Sequence, residues 1–233
     1  MSRLLHGARR PGRSAPVGWL LVGALVLALG PAPARAANGE IRQFTLQVDG
    51  KPAGTYQMAI QYLDDGSVQL TAQSDVRVTI LAIPVYTYAY HGQELWKNGR
   101  LVRLETSGHE KGKPFSVSAV SQNNVLLVTV NGQQHTTRPD VWTTSCWQLP
   151  DASFRNHDVL LLGCDNGADI PSHLQYVGSE QITVAGQMQT CTHYRVMKTE
   201  PHDLWYDAQE RLVRDEWDSS GHHTVLELTQ MIR

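Results

Sequence analysis

The stretch FTLQVDGKPAGTYQMAIQY, residues 44–62, decides the fold. Phe44, Leu46 and Val48 alternate with Thr45 and Gln47, and Tyr56, Met58, Ile60 and Tyr62 alternate with Gln57, Ala59 and Gln61. A period of two is that of a strand with one dry face and one wet face. Between the two runs, Asp49-Gly50-Lys51-Pro52 supplies turn residues, so the stretch reads as an antiparallel hairpin.

The same grammar continues toward the C-terminus. Asp64-Asp65-Gly66 turns into Val68, Leu70 and Ala72; Val76, Val78 and Ile80 follow, with a bend at Pro84. Tyr86, Tyr88 and Tyr90 then share one face of a strand running toward Trp96, and Asn98-Gly99 is a strong hairpin signal. Strands over 101–106, 115–120 and 125–130 lead to a second such turn at Asn131-Gly132. Alternation stops between Arg138 and Pro171, where Asp151 to Leu162 is expected to hold one short helix. It resumes over 181–184, 190–196, 202–206, 211–217 and 224–232. The pattern predicts an all-β, mainly antiparallel domain: a large curved up-and-down sheet or incomplete barrel with one short helical connection. So large a sheet must curl to cover its apolar face.

Toward the N-terminus the composition changes. Arg9, Arg10 and Arg13 precede the apolar run Val17 to Leu29, and Ala34-Arg35-Ala36 offers small residues for cleavage. Residues 1–36 therefore read as a secretory signal peptide and 37–233 as a single domain, periplasmic or secreted after cleavage near Ala36. Pro11-Gly12 after the arginine pair favours general secretion over folded-protein export. The apolar run is short for a membrane span, and no stable span is expected after cleavage. Without its leader the chain keeps 15 of its 20 basic residues against 22 acidic ones, a formal charge of −7. That balance argues against nucleic acid as a partner.

Cys146, Cys164 and Cys191 all lie in the exported part, where thiols can pair. Cys146 and Cys164 are nearest in sequence, and that bridge is the expected one, worth roughly 3 kcal/mol in the chain-entropy model. Cys164 with Cys191 stays open as the alternative, because spacing does not settle connectivity.

Two segments carry a resemblance. One is Leu204-Trp205-Tyr206-Asp207 with Arg211-Leu212-Val213 and a last strand after Gly221-His222; the other is Tyr86 to Leu101, with Glu94-Leu95-Trp96 before its Asn-Gly turn. They resemble the exported bacterial proteins of domain of unknown function family 6134. The resemblance implies a half-barrel similar to the periplasmic lipoprotein-carrier (LolA/LolB-like) fold, whose concave apolar face can hold an acyl chain. It does not imply lipoprotein transport.

Candidate ligand-binding residues follow: Tyr86, Tyr88, Tyr90 and Trp96 as a row on one strand, with Trp205 and Trp217 on the closing hairpins. Rings with polar tips suit an amphiphile-binding wall, though half-buried sheet packing is the simpler account of the row and core packing the default for Trp205 and Trp217. No nucleophile elbow, phosphate-binding glycine loop or His-Glu-x-x-His helix is present, and the histidines lack zinc-ligand spacing. The expectation is a protein without enzymatic activity, catalytic residues, metal or cofactor, binding a lipid-like small molecule on a concave sheet face. A structural or interaction module that pairs with another envelope protein is the alternative, and an enzyme acting on envelope material a more distant one.

Overall fold

The computed structural model describes residues 38–233, Ala82 excepted. The expected signal peptide, residues 1–36, lies outside the described residues. One sheet of fifteen strands runs in chain order as β1 (Gly39–Val48), β2 (Lys51–Tyr62), β3 (Ser67–Ile80), β4 (Ile83–Lys97), β5 (Arg100–Glu110), β6 (Lys113–Gln122), β7 (Val125–Val130), β8 (Gln133–Thr137), β9 (Trp142–Thr143), β10 (His157–Leu162), β11 (Asp169–Val184), β12 (Gln187–Met197), β13 (His202–Tyr206), β14 (Leu212–Ser219) and β15 (His222–Ile232). Across the sheet the order is β8 down to β1, then β15 down to β9, so β1 and β15 meet in the middle. Every pairing is antiparallel except β9 with β10, where Trp142 and Thr143 lie beside Leu161 and Leu162. The expected all-β, up-and-down architecture is what the structure shows.

Turn chemistry explains the meander. Asn98 and Gly99, and again Asn131 and Gly132, both take positive φ, the geometry whose twist matches that of the flanking strands. β8 and β9 form opposite edges, yet only Arg138, Pro139, Asp140 and Val141 separate them in sequence. Five Cα-to-Cα steps span at most ~19 Å, so the sheet curls until its edges approach. The ladder itself stays open.

The short helical connection is a single 3-10 turn, Ala152–Phe154, capped by the Asp151 side chain. The rest of the stretch expected to be helical is strand: β10 carries Val159-Leu160-Leu161-Leu162, of which Val159, Leu161 and Leu162 are buried. A short apolar run has no period by which helix and strand can be told apart. β11 likewise starts at Asp169, well before the expected Gln181.

Phe44, Met58, Ile60, Leu70, Leu104, Leu126 and Val128 line the inner face. The connection after β9 crosses the concavity and seats Trp147 and Leu149 among them. Backbone hydrogen bonds from Leu149 to Glu210 and from Leu212 to Trp147 tie it to the β13–β14 turn. Arg42, fully buried, donates to the Trp147 carbonyl and pairs with Glu40 at 2.6 Å. Burial lowers the Arg42 guanidinium from its ordinary value, opposed by Glu40. Glu40 also receives Arg211 at 3.0 Å, which in turn pairs with Asp207. Arg42 shares strand parity with Phe44 and Leu46, so the alternation itself points this charge inward.

Candidate functional site

The aromatic row sits on one face of β4, as its spacing predicts, but packs inward. Tyr90 and Trp96 are buried in the core and Tyr88 is half-buried, stacked between Tyr90 (centroids 6.3 Å apart) and Phe115 (6.0 Å). Trp96 lies 6.4 Å from Trp147 of the crossing connection. Tyr86 stands apart, half-buried near the strand's outer end, with its hydroxyl 3.4 Å from Glu110 and Lys111 over its ring. Burial pushes the Tyr86 phenol up to about 12 and Tyr88 higher still. The concave face at Tyr90 and Trp96 is thus filled by the protein's own side chains, where a lipid-binding wall would need to be open.

Beside Trp96 lies Glu94, only 2 % exposed. It accepts from Trp96 Nε1 at 2.7 Å, from Thr143 Oγ1 at 3.0 Å and from the Cys164 thiol at 3.7 Å. Burial raises its carboxyl above the usual range, although these hydrogen bonds favour the charged form. Cys146, Cys164 and Cys191 are free thiols here, so the expected Cys146–Cys164 bridge is not formed. Cys146 donates instead to the Thr143 carbonyl, and burial pushes both the Cys146 and Cys164 thiols up. Such thiols are inert as nucleophiles.

Trp205 and Trp217, neighbours by strand, point to opposite faces. Trp205 lies between the inward Leu204 and Tyr206, so its own ring turns outward, stacked at 4.3 Å on His193 with Arg214 above it. His193 is gripped on both ring nitrogens, by Glu180 at 2.7 Å and Asp203 at 2.6 Å. Both ring nitrogens are thus taken up by contacts within the sheet surface. The His193 hydrogen bond lowers Glu180; burial raises Asp203, but Arg195 and His193 outweigh it and hold that carboxyl low as well. Trp217 stacks at 4.8 Å on His202, itself bound to Asp215. Among the described residues no group of His, Cys, Asp and Glu is placed to hold a metal ion.

A hollow lies elsewhere, a groove of 850 Å³ on the outer face. Its floor is the row Phe44, Tyr56, Ser74, Tyr90, Gly108 and Phe115, which pair in register across β1 to β6. One rail is Gln43, Gln57, Gln73, His91 and Ser107; the other is Thr45, Thr55, Asp75, Ala89, His109 and Pro114, with Thr229 of β15 at the end. Rail residues flank each floor residue in sequence, so their side chains leave the opposite face from Tyr90. The groove crosses seven strands, about 29 Å at ~4.8 Å per interstrand spacing. No lysine or arginine lines it, and Asp75 is its one carboxylate. Sequence reading passed over these residues because Gln, Thr and His on a strand's wet face look like ordinary solvent contacts.

A profile described as Domain of unknown function (DUF6134) matches residues 44–229. Among solved structures, the crystal structure of a β-barrel-like protein of domain of unknown function DUF1849 from Brucella abortus aligns over 84% of this chain and 97% of its own. The TM-score is 0.61 at 7% identity, a likeness of fold alone. No curated protein matches the chain.

Proposed function

Since the chain belongs to the DUF6134 family, a domain of unknown function, we propose a function from its geometry. It is a non-enzymatic binding protein of the cell envelope that holds a neutral, hydroxyl-rich polymer, such as a glycan chain, along the outer groove. One observation carries the reading: the groove runs across seven strands on rails of amide, hydroxyl and imidazole groups with no cation among them. Side-chain amides donate and accept together, as sugar hydroxyls require. The lack of cations works against a phosphate-bearing polymer, and the filled interior works against a lipid-like ligand on the concave face. Export with cleavage near Ala36 belongs to the same proposal.

Titration of the mature protein with neutral oligosaccharides of increasing length, followed by amide NMR, tests it. The expected result is saturable shifts at Gln57, Gln73, His91 and Ser107. Gln73→Ala with His91→Ala should weaken binding by about tenfold or more, at one to two hydrogen bonds lost, with an unchanged thermal midpoint. Absence of saturable shifts with every oligosaccharide overturns the reading. Shifts confined to inner-face residues on adding a fatty acid instead would restore the lipid-carrier alternative.

A further inference from the structure

The hairpin joining β3 to β4 departs from every other tight turn at its end of the sheet. Those tips are Asp49-Gly50, Lys111-Gly112, Asn131-Gly132 and Ser220-Gly221, each polar or charged and each placing glycine at positive φ. Here the two residues between the strands are Leu81 and Ala82, and Leu81 takes φ 49° without glycine's freedom. It is 93% exposed, so nothing inside the molecule offsets that strain.

The hairpin also outreaches its neighbours. β2 stops pairing with β3 at Val76, and β5 stops pairing with β4 at Tyr88, while β3 and β4 continue together to Ile80 and Ile83. The last four residues of β3 and the first five of β4 therefore form a two-stranded ribbon projecting roughly 13 Å from the sheet, at ~3.3 Å per residue. Its end presents apolar groups: Leu81 at the turn, Ile83 and Val85 on one side (66% and 49% exposed), and Pro84, in register with the exposed Thr79, on the other. At its foot stand Arg77, Lys111 and Lys113, all exposed, with Lys111 5.5 Å above the Tyr86 ring and Glu110 and Asp165 as the neighbouring acids. Lys51 projects from the adjacent turn at the same end.

We propose that this ribbon is a membrane-surface anchor, its tip dipping into the interface of a bilayer that carries anionic lipid. Apolar groups at the turn and on both faces of the tip suit a medium that surrounds it, whereas a protein groove would meet one side. The foot places an aromatic ring and cations at the depth where headgroups begin, the arrangement that interfaces favour. Both ribbon edges carry unpaired backbone groups, which hydrocarbon does not tolerate, so only the turn enters. Binding is accordingly weak and reversible. The anchor is independent of the outer groove, whose failure would leave it standing.

Flotation of the mature protein with vesicles of phosphatidylcholine, and with vesicles containing about a third phosphatidylglycerol, tests the anchor. The expected result is recovery with the anionic vesicles, falling with added salt, and a loss of about tenfold or more for Leu81→Asp with Ile83→Asp. Since both side chains are exposed, the variant should keep the parent's thermal midpoint and oligosaccharide titration. A Leu81→Trp variant should shift its fluorescence to the blue on vesicle addition. Equal recovery of parent and Asp variant overturns the proposal, as does no recovery of the parent. Concentration-dependent dimers abolished by Leu81→Asp, without vesicle binding, would assign the tip to a second copy instead.

Discussion

Arg42 on the inner face and His193 on the outer face each lie between two oxygen partners, yet the two sites do different things. Arg42 has no solvent, and its partners are Glu40 and a carbonyl of the crossing connection. The contact therefore fixes where the connection runs. His193 is covered by the Trp205 ring, but its partner Glu180 keeps 44% of its side chain in water. Its hydrogen bonds fasten strands that backbone ladders already hold in register. Buried polar groups on the inside determine path, whereas similar groups on the outside adjust a path already determined.

The comparison can be broken most severely at Arg42. Arg42→Ala leaves Glu40 and the Trp147 carbonyl short of a donor inside the core and should cost about 3–5 kcal/mol in urea unfolding. A loss below about 1 kcal/mol, within the range of an exposed pair, would mean that packing of Trp147 alone positions the connection. Glu94→Gln should sharpen it in the opposite direction. Because burial raises this carboxyl, the folded state holds the proton more tightly than the unfolded chain, and parental stability falls as pH climbs from the ordinary carboxylate range toward the raised value. The glutamine variant has no proton to lose. It should match the parent in acid and exceed it at neutral pH in thermal midpoints measured across pH. A variant less stable at neutral pH would show that the ionised carboxylate is the favoured form. The smallest effect belongs outside. Glu180→Gln should cost under about 1 kcal/mol, reduced by salt, since the carboxylate is well solvated. Glu180 is lowered, so its contribution is present above the ordinary carboxylate range and is lost as pH falls through the lowered value. The two proteins should converge in acid denaturation curves, and a gap that persists at low pH would contradict this assignment.

What could be read from the residues follows the same division. Strand identity rested on period two, and hairpin positions on Asn98-Gly99 and Asn131-Gly132; both are local properties, and the structure places strands and turns accordingly. β10 was misread because Val159 to Leu162 is apolar at every position, and β9 escaped notice because a two-residue strand has no period. The path of the connection depends on Arg42, more than a hundred residues away from Trp147 in the chain. Tyr90 and Trp96 were correctly placed on one face, but whether that face stays open is decided by Trp147 arriving from elsewhere. The outer groove was invisible for a related reason: Gln43, Gln57, Gln73 and His91 become a rail only when four strands align.

The meeting of β1 and β15 at mid-sheet concentrates the cost of topology in one seam. Nearly every other neighbouring pair is joined by a hairpin of a few residues, so its closure is local and entropically light. Ile41 beside Ile232 and Phe44 beside Leu228 instead bring together the two extremes of the domain. The molecule is thus two fast-forming meanders, β1 to β8 and β10 to β15, zipped along a single contact of very high order that governs how quickly the whole sheet closes.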